Sequence, residues 1–220
     1  DPLKKRGATV FSFHPLQTFP RDFVPKDIVP TARGIYYAVD GTPKAIRQSK
    51  SLARKLEGKV ILIRPEMRMF YHAACVVASN HLTGLLSVLE SMFGRFGSGE
   101  KDFFRVFQPI IFSTLRNVKL TSPKAALSGP VVRGGVETVA DHFASIKEAA
   151  PELLPYFGTL TLETVRLAER KGSLTKERAL ALRNLRESVL RTVLTALGVS
   201  IGIASLVGMV SFGVALQDQV

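Results

Sequence analysis

Apolar residues return at steps of three to five between Met67 and Met92, at Met67, Phe70, Ala74, Val77, Leu82, Leu85, Leu89 and Met92. The stretch holds no proline and one glycine, Gly84, so the pattern predicts a single helix over 66–93, about 42 Å long at 1.5 Å per residue. At 100° per residue, His72, Ser79 and Thr83 fall near one line, and Ala73, Asn80 and Gly84 make a second line of smaller residues beside it. The first line offers polar atoms. The second lets another backbone come close.

Upstream the period is shorter. Residues 7–14, GATVFSFH, are β-branched and aromatic and close on His14-Pro15, which predicts a buried strand. Pro20, Pro25, Pro30 and Gly34 predict a loop over 20–34. A second strand follows over 35–39. The Asp40-Gly41-Thr42-Pro43 turn then starts a helix reaching about Leu56, with Thr42 as N-cap and Pro43 at the first helical position. Gly58 stops that helix, and KVILIR at 59–64 predicts a third strand. Strand, helix and strand joined by tight loops is the grammar of an open, mostly parallel sheet.

After Pro65 the strands cease. A helix is predicted over 103–118 with a kink at Pro109. A loop carrying LSGPVVRGG spans 123–135, and a helix over 136–149 turns Val136, Val139, Ala140, Phe143 and Ile146 to one face. Another helix runs from Pro151 to Arg170 until Gly172 breaks it, and Thr175 restarts a last one. The fold class is therefore an α/β portion followed by an all-α portion, with the boundary near residue 65.

The end of the chain changes character. From Val193 to Leu216 there are 24 residues without a charge, about 36 Å as a helix against a hydrocarbon core of about 30 Å. Gly198 and Gly202, with Ser200, Ala204, Ser205 and Gly208, supply the small residues common between transmembrane helices. Arg183, Arg186 and Arg191 precede the run, which puts its N-terminal flank in the cytoplasm. A buried helix of a larger soluble core is the alternative, but it needs more surrounding protein than this chain supplies.

Composition narrows the classes. Apolar residues make up 46% and charged residues 22%, which excludes wholesale disorder. Thirty Lys and Arg against 18 Asp and Glu give +12 and favour anionic partners. The basic residues are scattered and no nucleic-acid motif accompanies them, so nucleic acid is not an expected partner. Cys75 is the single cysteine; on the apolar side of the long helix it reads as a buried, inert thiol. The chain opens at Asp1 without Met or a signal-like region and reads as an excerpt whose start lies upstream.

Candidate chemistry is organic rather than metallic. No GxGxxG stands between a strand and a helix, so cofactor-binding residues are not identifiable here. His72 and His81 lie nine residues apart, about 180° around one helix, and no HxxxH or HExxH exists; no metal is expected. A Ser79–His72 nucleophile pair fails because seven residues span about 10 Å. The polar cluster that remains is His14 at a strand end, where open sheets bind ligands, with His72, Ser79 and Asn80 on the long helix and Arg133, Thr138 and His142 near the Gly-rich loop. Gly129-Pro130 and Gly134-Gly135 would let backbone approach a ligand, and the following helix N-terminus with Arg133 would favour an anion. The alternative for each residue is structural: Ser79 and Asn80 serving helix packing, His142 on a solvated face, Arg133 paired with Glu137.

Five motifs occur in order: HPLQTF at 14–19, FYHAACVVASNHL at 70–82, FQPIIFSTLRNV at 107–118, ALSGPVVRGGVETVADHF at 126–143 and LAERKGSLTKERALAL at 167–182. Over 1–182 the chain thus resembles a family of Rossmann-like proteins with a helical C-terminal domain of unknown function, related to pyrroline-5-carboxylate reductase and to the 6-phosphogluconate and 3-hydroxyacid dehydrogenases. The resemblance implies an NAD(P)-dependent oxidoreductase whose cofactor is held mainly by an N-terminal half preceding Asp1, so that this stretch alone is inactive. Residues 1–65 would be the C-terminal part of the Rossmann-like domain. Residues 66–182 would be a helical domain, like that of 6-phosphogluconate dehydrogenase, that forms a homodimer and completes the cleft for a small anionic substrate. His14, Ser79, Asn80, Gly129, Pro130, Arg133, Gly134 and Thr138 match motif positions and would bind substrate. His72 and His142 would be the proton donors, since histidine titrates near neutrality. Where the family pattern has an acid after Arg-Gly, this chain has Gly135. Residues 181–220 resemble the amino-terminal end of a MacB/FtsX-type ABC transporter permease, so that 183–220 would be a basic lead-in and a membrane helix. On that resemblance residues 1–182 would be cytoplasmic and the chain anchored in the inner membrane, or the helical part would be only a permease appendage. A third reading makes the helical part a dimerisation module without catalysis.

Overall fold

The computed structural model describes residues 2–22, 24–97, 99, 101–185 and 205. The run from Val193 to Leu216, read above as a membrane helix, lies outside the described residues apart from Ser205. The chain divides into two compact units, 1–87 and 88–220.

The first unit is built on a three-stranded sheet. After a short helix α1 (Pro2–Lys5), β1 (Phe11–Pro15) pairs antiparallel with β2 (Tyr36–Gly41), and β2 pairs parallel with β3 (Lys59–Leu62), in the order β1-β2-β3. Only β2 and β3 follow the parallel grammar that the sequence suggested. β1 runs the other way, with Phe11 opposite Gly41 and Pro15 opposite Tyr37. The connection from β1 to β2 is not the expected loop either, since it contains helix α2 (Pro25–Ala32). Pro25 sits at the first helical turn, where a missing N–H costs nothing. Asp27 Oδ2 accepts from the Val24 backbone N–H at 3.3 Å and closes that end; Pro30 is carried inside the helix.

β2 is covered on both faces: Tyr37, Ala38, Val39 and Asp40 are all buried in succession, as expected of a central strand. Helix α3 (Pro43–Lys55) packs beside it, started by Thr42, whose hydroxyl accepts from the Ala45 backbone N–H at 3.3 Å. Tyr37, Val39 and Ala53 form the centre of this core, with Phe13 stacked on Tyr37 at 4.4 Å. The exit from α3 differs in detail from the sequence reading. Glu57 carries the left-handed conformation, at φ 57°, and Gly58 is needed for space: a Cβ there would lie 2.6 Å from the Ile35 carbonyl oxygen and 2.7 Å from the Tyr37 ring.

The predicted long helix is present in four pieces without a break. A 3₁₀ turn (Pro65–Met67) leads into α4 (Arg68–Val76), then a π turn (Val77–His81), then α5 (Leu82–Phe93). The π turn changes the phase, because its i→i+5 bonds insert a residue relative to a regular helix. His72 is exposed, whereas Ser79 is half-buried. Ala73, Asn80 and Gly84 are all exposed, and nothing lies within 4 Å of where a Gly84 side chain would begin.

In the second unit, α6 (Phe103–Leu120) runs through Pro109 as one helix, capped by Asp102. It is followed by α7 (Pro123–Ala126), α8 (Val136–Ala149), a 3₁₀ turn (Pro151–Leu153) and α9 (Leu154–Lys171). Gly172 ends α9 in the left-handed region at φ 78°. Residues 176–185 are helical again behind the Thr175 hydroxyl, which accepts from Arg178 N–H at 3.3 Å. Val139, Phe143 and Ile146, three members of the predicted apolar face of α8, enter a core with Leu154, Val165, Ala179 and Leu182.

Candidate functional site

Strand β1 delivers His14, and α4 delivers Tyr71, to the same place in the first unit. His14 Nδ1 and Tyr71 Oη are 2.7 Å apart, and the rings meet edge to face with centroids 5.7 Å apart. Beside them is a cavity of about 290 Å³ lined by His14, Gln17 and Thr18 from the β1 exit and by Cys75, Ala78 and Ser79 from the helix. The Ser79 hydroxyl lies 2.8 Å from the Cys75 carbonyl oxygen and 2.8 Å from Asn80 Oδ1. Burial pushes the Tyr71 hydroxyl well above the usual phenol range, and its hydrogen bond with Cys75 pushes the same way. Tyr71 therefore stays a protonated phenol at neutral pH.

The π turn holds Ser79 in this wall, and such turns concentrate at functional sites. Sequence reasoning missed Tyr71 and Cys75. Their signal was spacing: Tyr71, Cys75 and Ser79 stand at i, i+4 and i+8, one face of a helix. Cys75 was expected to be buried and inert, whereas it is partly exposed and lines the cavity. The argument that placed His14 at a ligand-binding strand end also needs correction. β1 is antiparallel, so its carboxyl end lies beside the amino ends of β2 and β3.

The carboxyl end of β2 and the start of the long helix frame a second cavity, of about 550 Å³, lined in part by Ser12, Asp40, Thr42, Pro65 and Arg68. Asp40 is buried, and Arg68 grips it with two N–H groups: Nη2 donates to Oδ1 at 2.8 Å and Nε donates to Oδ2. These hydrogen bonds hold the Asp40 carboxyl below the usual carboxylate range and outweigh the opposing effect of burial. A folded-state value below the unfolded one means that the pair stabilises the protein above about pH 4, and that this stabilisation is lost as pH falls further. Urea melts between pH 6 and pH 3 are expected to show that loss in the parent chain, with a shallower slope in Asp40→Asn.

The other predicted site residues are placed as follows. His72 is exposed on α4, and Asn80 is exposed on the π turn. Gly129, Pro130, Arg133, Gly134, Thr138 and His142 all belong to the second unit. There the Gly129–Gly135 loop closes on itself through Gly135 N–H donating to the Pro130 carbonyl at 2.9 Å. The tight space at Gly134 is taken by Arg178, whose Cδ would lie 2.6 Å from an added Cβ and whose Nη1 donates to the Arg133 carbonyl at 3.3 Å. No ion pair joins Arg133 to Glu137 among the described residues. His142 is exposed with its ring edge-on to Phe157 at 6.3 Å. Among the described residues no three His, Cys, Asp or Glu side chains come together as a metal site.

Comparison with known proteins bears on the fold. Residues 35–164, more than half of the chain, match the family described as "Domain of unknown function (DUF2520)". No curated protein matches the chain. The crystal structure of protein TM1727 from Thermotoga maritima is similar over 81% of this chain and 62% of its own, with 21% identity and a TM-score of 0.56. That of the "putative NADP oxidoreductase BF3122" from Bacteroides fragilis is similar over 71% of this chain and 56% of its own, with 21% identity and a TM-score of 0.55. The chain thus spans less than two thirds of the length of either structure. At this identity the likeness is one of fold alone: a small sheet with many helices. None of these matches is to a transporter permease.

Proposed function

The chain belongs to the DUF2520 family, and on that premise we propose that it is part of an NAD(P)-dependent oxidoreductase in which the cavity beside His14 is the substrate cleft. The observation that carries the reading is the cavity itself: an imidazole backed by a phenol that stays protonated, facing the hydroxyl of Ser79. A histidine so placed supplies a proton to a ligand oxygen, or takes one from it.

The described residues do not by themselves fit a dinucleotide. The tight turn from β2 into α3, at Gly41, leaves no cradle for a pyrophosphate: a Cβ at Gly41 would meet Ala45 Cβ at 2.9 Å and Phe11 Cβ at 3.1 Å. The proposal therefore assigns the cofactor to other parts of the whole protein and assigns substrate contacts to this chain. The test is a fluorescence titration of the full gene product with NADPH. Saturable binding is the expected result, and no binding would sink the oxidoreductase reading.

The same proposal makes the protein a homodimer in the cytoplasm, acting on a small anionic substrate drawn by its net charge of +12. The helical run from Pro65 to Phe93 supports the dimer. It is long and apolar enough to cross a membrane by length and composition, and its apolar stretch is not buried. Met69 is 77% exposed, Phe70 71% and Val77 58%. A patch of that kind marks an interaction surface. Arg68, His72 and Asn80 on the same helix suit a partner protein with polar groups better than lipid. Phe70→Asp is expected to convert the dimer to a monomer in sedimentation, with its circular dichroism unchanged.

A further inference from the structure

We infer that Tyr71 is a positioning residue that fixes the tautomer of His14, so that the imidazole turns Nε2–H, a donor, toward a ligand in the cavity. Its use in a substrate cleft rests on the function proposed above, whereas the hydrogen-bond arrangement stands without it. At 2.7 Å the phenol and the imidazole share one proton between Oη and Nδ1. Either Tyr71 O–H donates to a bare Nδ1, or Nδ1–H donates to the phenol oxygen.

The surroundings decide between the two. Tyr71 keeps its proton, because burial and the Cys75 hydrogen bond both disfavour the phenolate. That single proton has two possible acceptors, Nδ1 and the Cys75 sulfur. A thiol is a weak acceptor and an imidazole nitrogen a strong one, so at 2.7 Å the phenol donates to His14 Nδ1. A neutral imidazole with Nδ1 occupied as acceptor carries its hydrogen on Nε2. Ser79 complements it. Its one hydroxyl proton is taken by the Cys75 carbonyl or by Asn80 Oδ1, both 2.8 Å away, which leaves its lone pairs open. The cavity therefore presents a donor at His14 and an acceptor at Ser79. A hydroxyl group of a small molecule satisfies both, its oxygen accepting from Nε2–H and its proton going to Ser79 Oγ.

The test needs no ligand. Two-bond ¹H–¹⁵N spectra of the ¹⁵N-histidine-labelled chain at pH 8 report which ring nitrogen carries the hydrogen. In the parent chain His14 is expected to show a pure Nδ1-acceptor, Nε2–H pattern, with the exposed ring of His81 as an averaged internal reference. In Tyr71→Phe, which keeps the ring and removes the hydroxyl, the His14 signals are expected to move to the His81 pattern. An Nδ1–H form in the parent chain overturns the inference, and so does a His14 pattern unaffected by Tyr71→Phe. Absence of NADPH binding leaves this result untouched, so the two failures are distinguishable.

Discussion

His14→Ala in the full-length protein is expected to lower turnover by roughly 10²- to 10⁴-fold, the range for loss of a positioned general acid or base. The assay is NADPH oxidation with a panel of small anionic carbonyl and imine compounds, the substrate class proposed above. The loss should fall on kcat more than on KM, because a group that moves a proton acts on the transition state. Folding is not expected to suffer: His14 is exposed, and its one described side-chain hydrogen bond is to Tyr71. His81→Ala is the control, an exposed imidazole on the π turn of the helical run that carries Tyr71. Equal turnover in His14→Ala and the parent protein would remove His14 from the chemistry and the cavity from the proposed cleft.

Much of the frame was legible in the sequence, and the exceptions have physical causes. Thr42-Pro43 announced the start of α3 because capping is local: one hydroxyl and one fixed φ decide it. The apolar face of α8 was legible because Val139, Phe143 and Ile146 obey the helical period and meet a core. Strand direction was not legible, since β1 reads the same in either sense and the turn chemistry at His14-Pro15 does not choose a partner. Helix α2 was hidden behind its prolines, which mark turns more often than first helical turns. The site was half legible. His14 and Ser79 were found as polar residues, but Cys75 was read as a buried, inert thiol and Tyr71 was not singled out, because nothing local shows that β1 brings His14 against this face of α4. The Asp40–Arg68 pair spans 28 residues, and nothing local forecasts it.

Phe143→Ala is expected to destabilise the second unit by about 3–5 kcal/mol, the cost of deleting a large buried aromatic side chain. Phe143 is 4% exposed. Its ring meets that of Phe157 edge to face at 5.2 Å, and it belongs to the cluster with Val139, Ile146, Leu154, Val165 and Leu182. Those neighbours come from α8, from α9 and from the helical residues 176–185, so the ring fills space that no single element can close by itself. Truncation leaves a cavity bounded by three helices, and rigid helices collapse poorly into such a void. Against a total of about 5–15 kcal/mol for an ordinary domain, the loss takes a large share of the stability. Urea melts followed by circular dichroism measure it, with Lys147→Ala, a solvent-exposed position of the same helix, expected within about 0.5 kcal/mol of the parent. A loss below about 1 kcal/mol in Phe143→Ala would mean that the second unit is not held by this cluster. Its helices would then owe their arrangement to something other than the apolar period that first announced them.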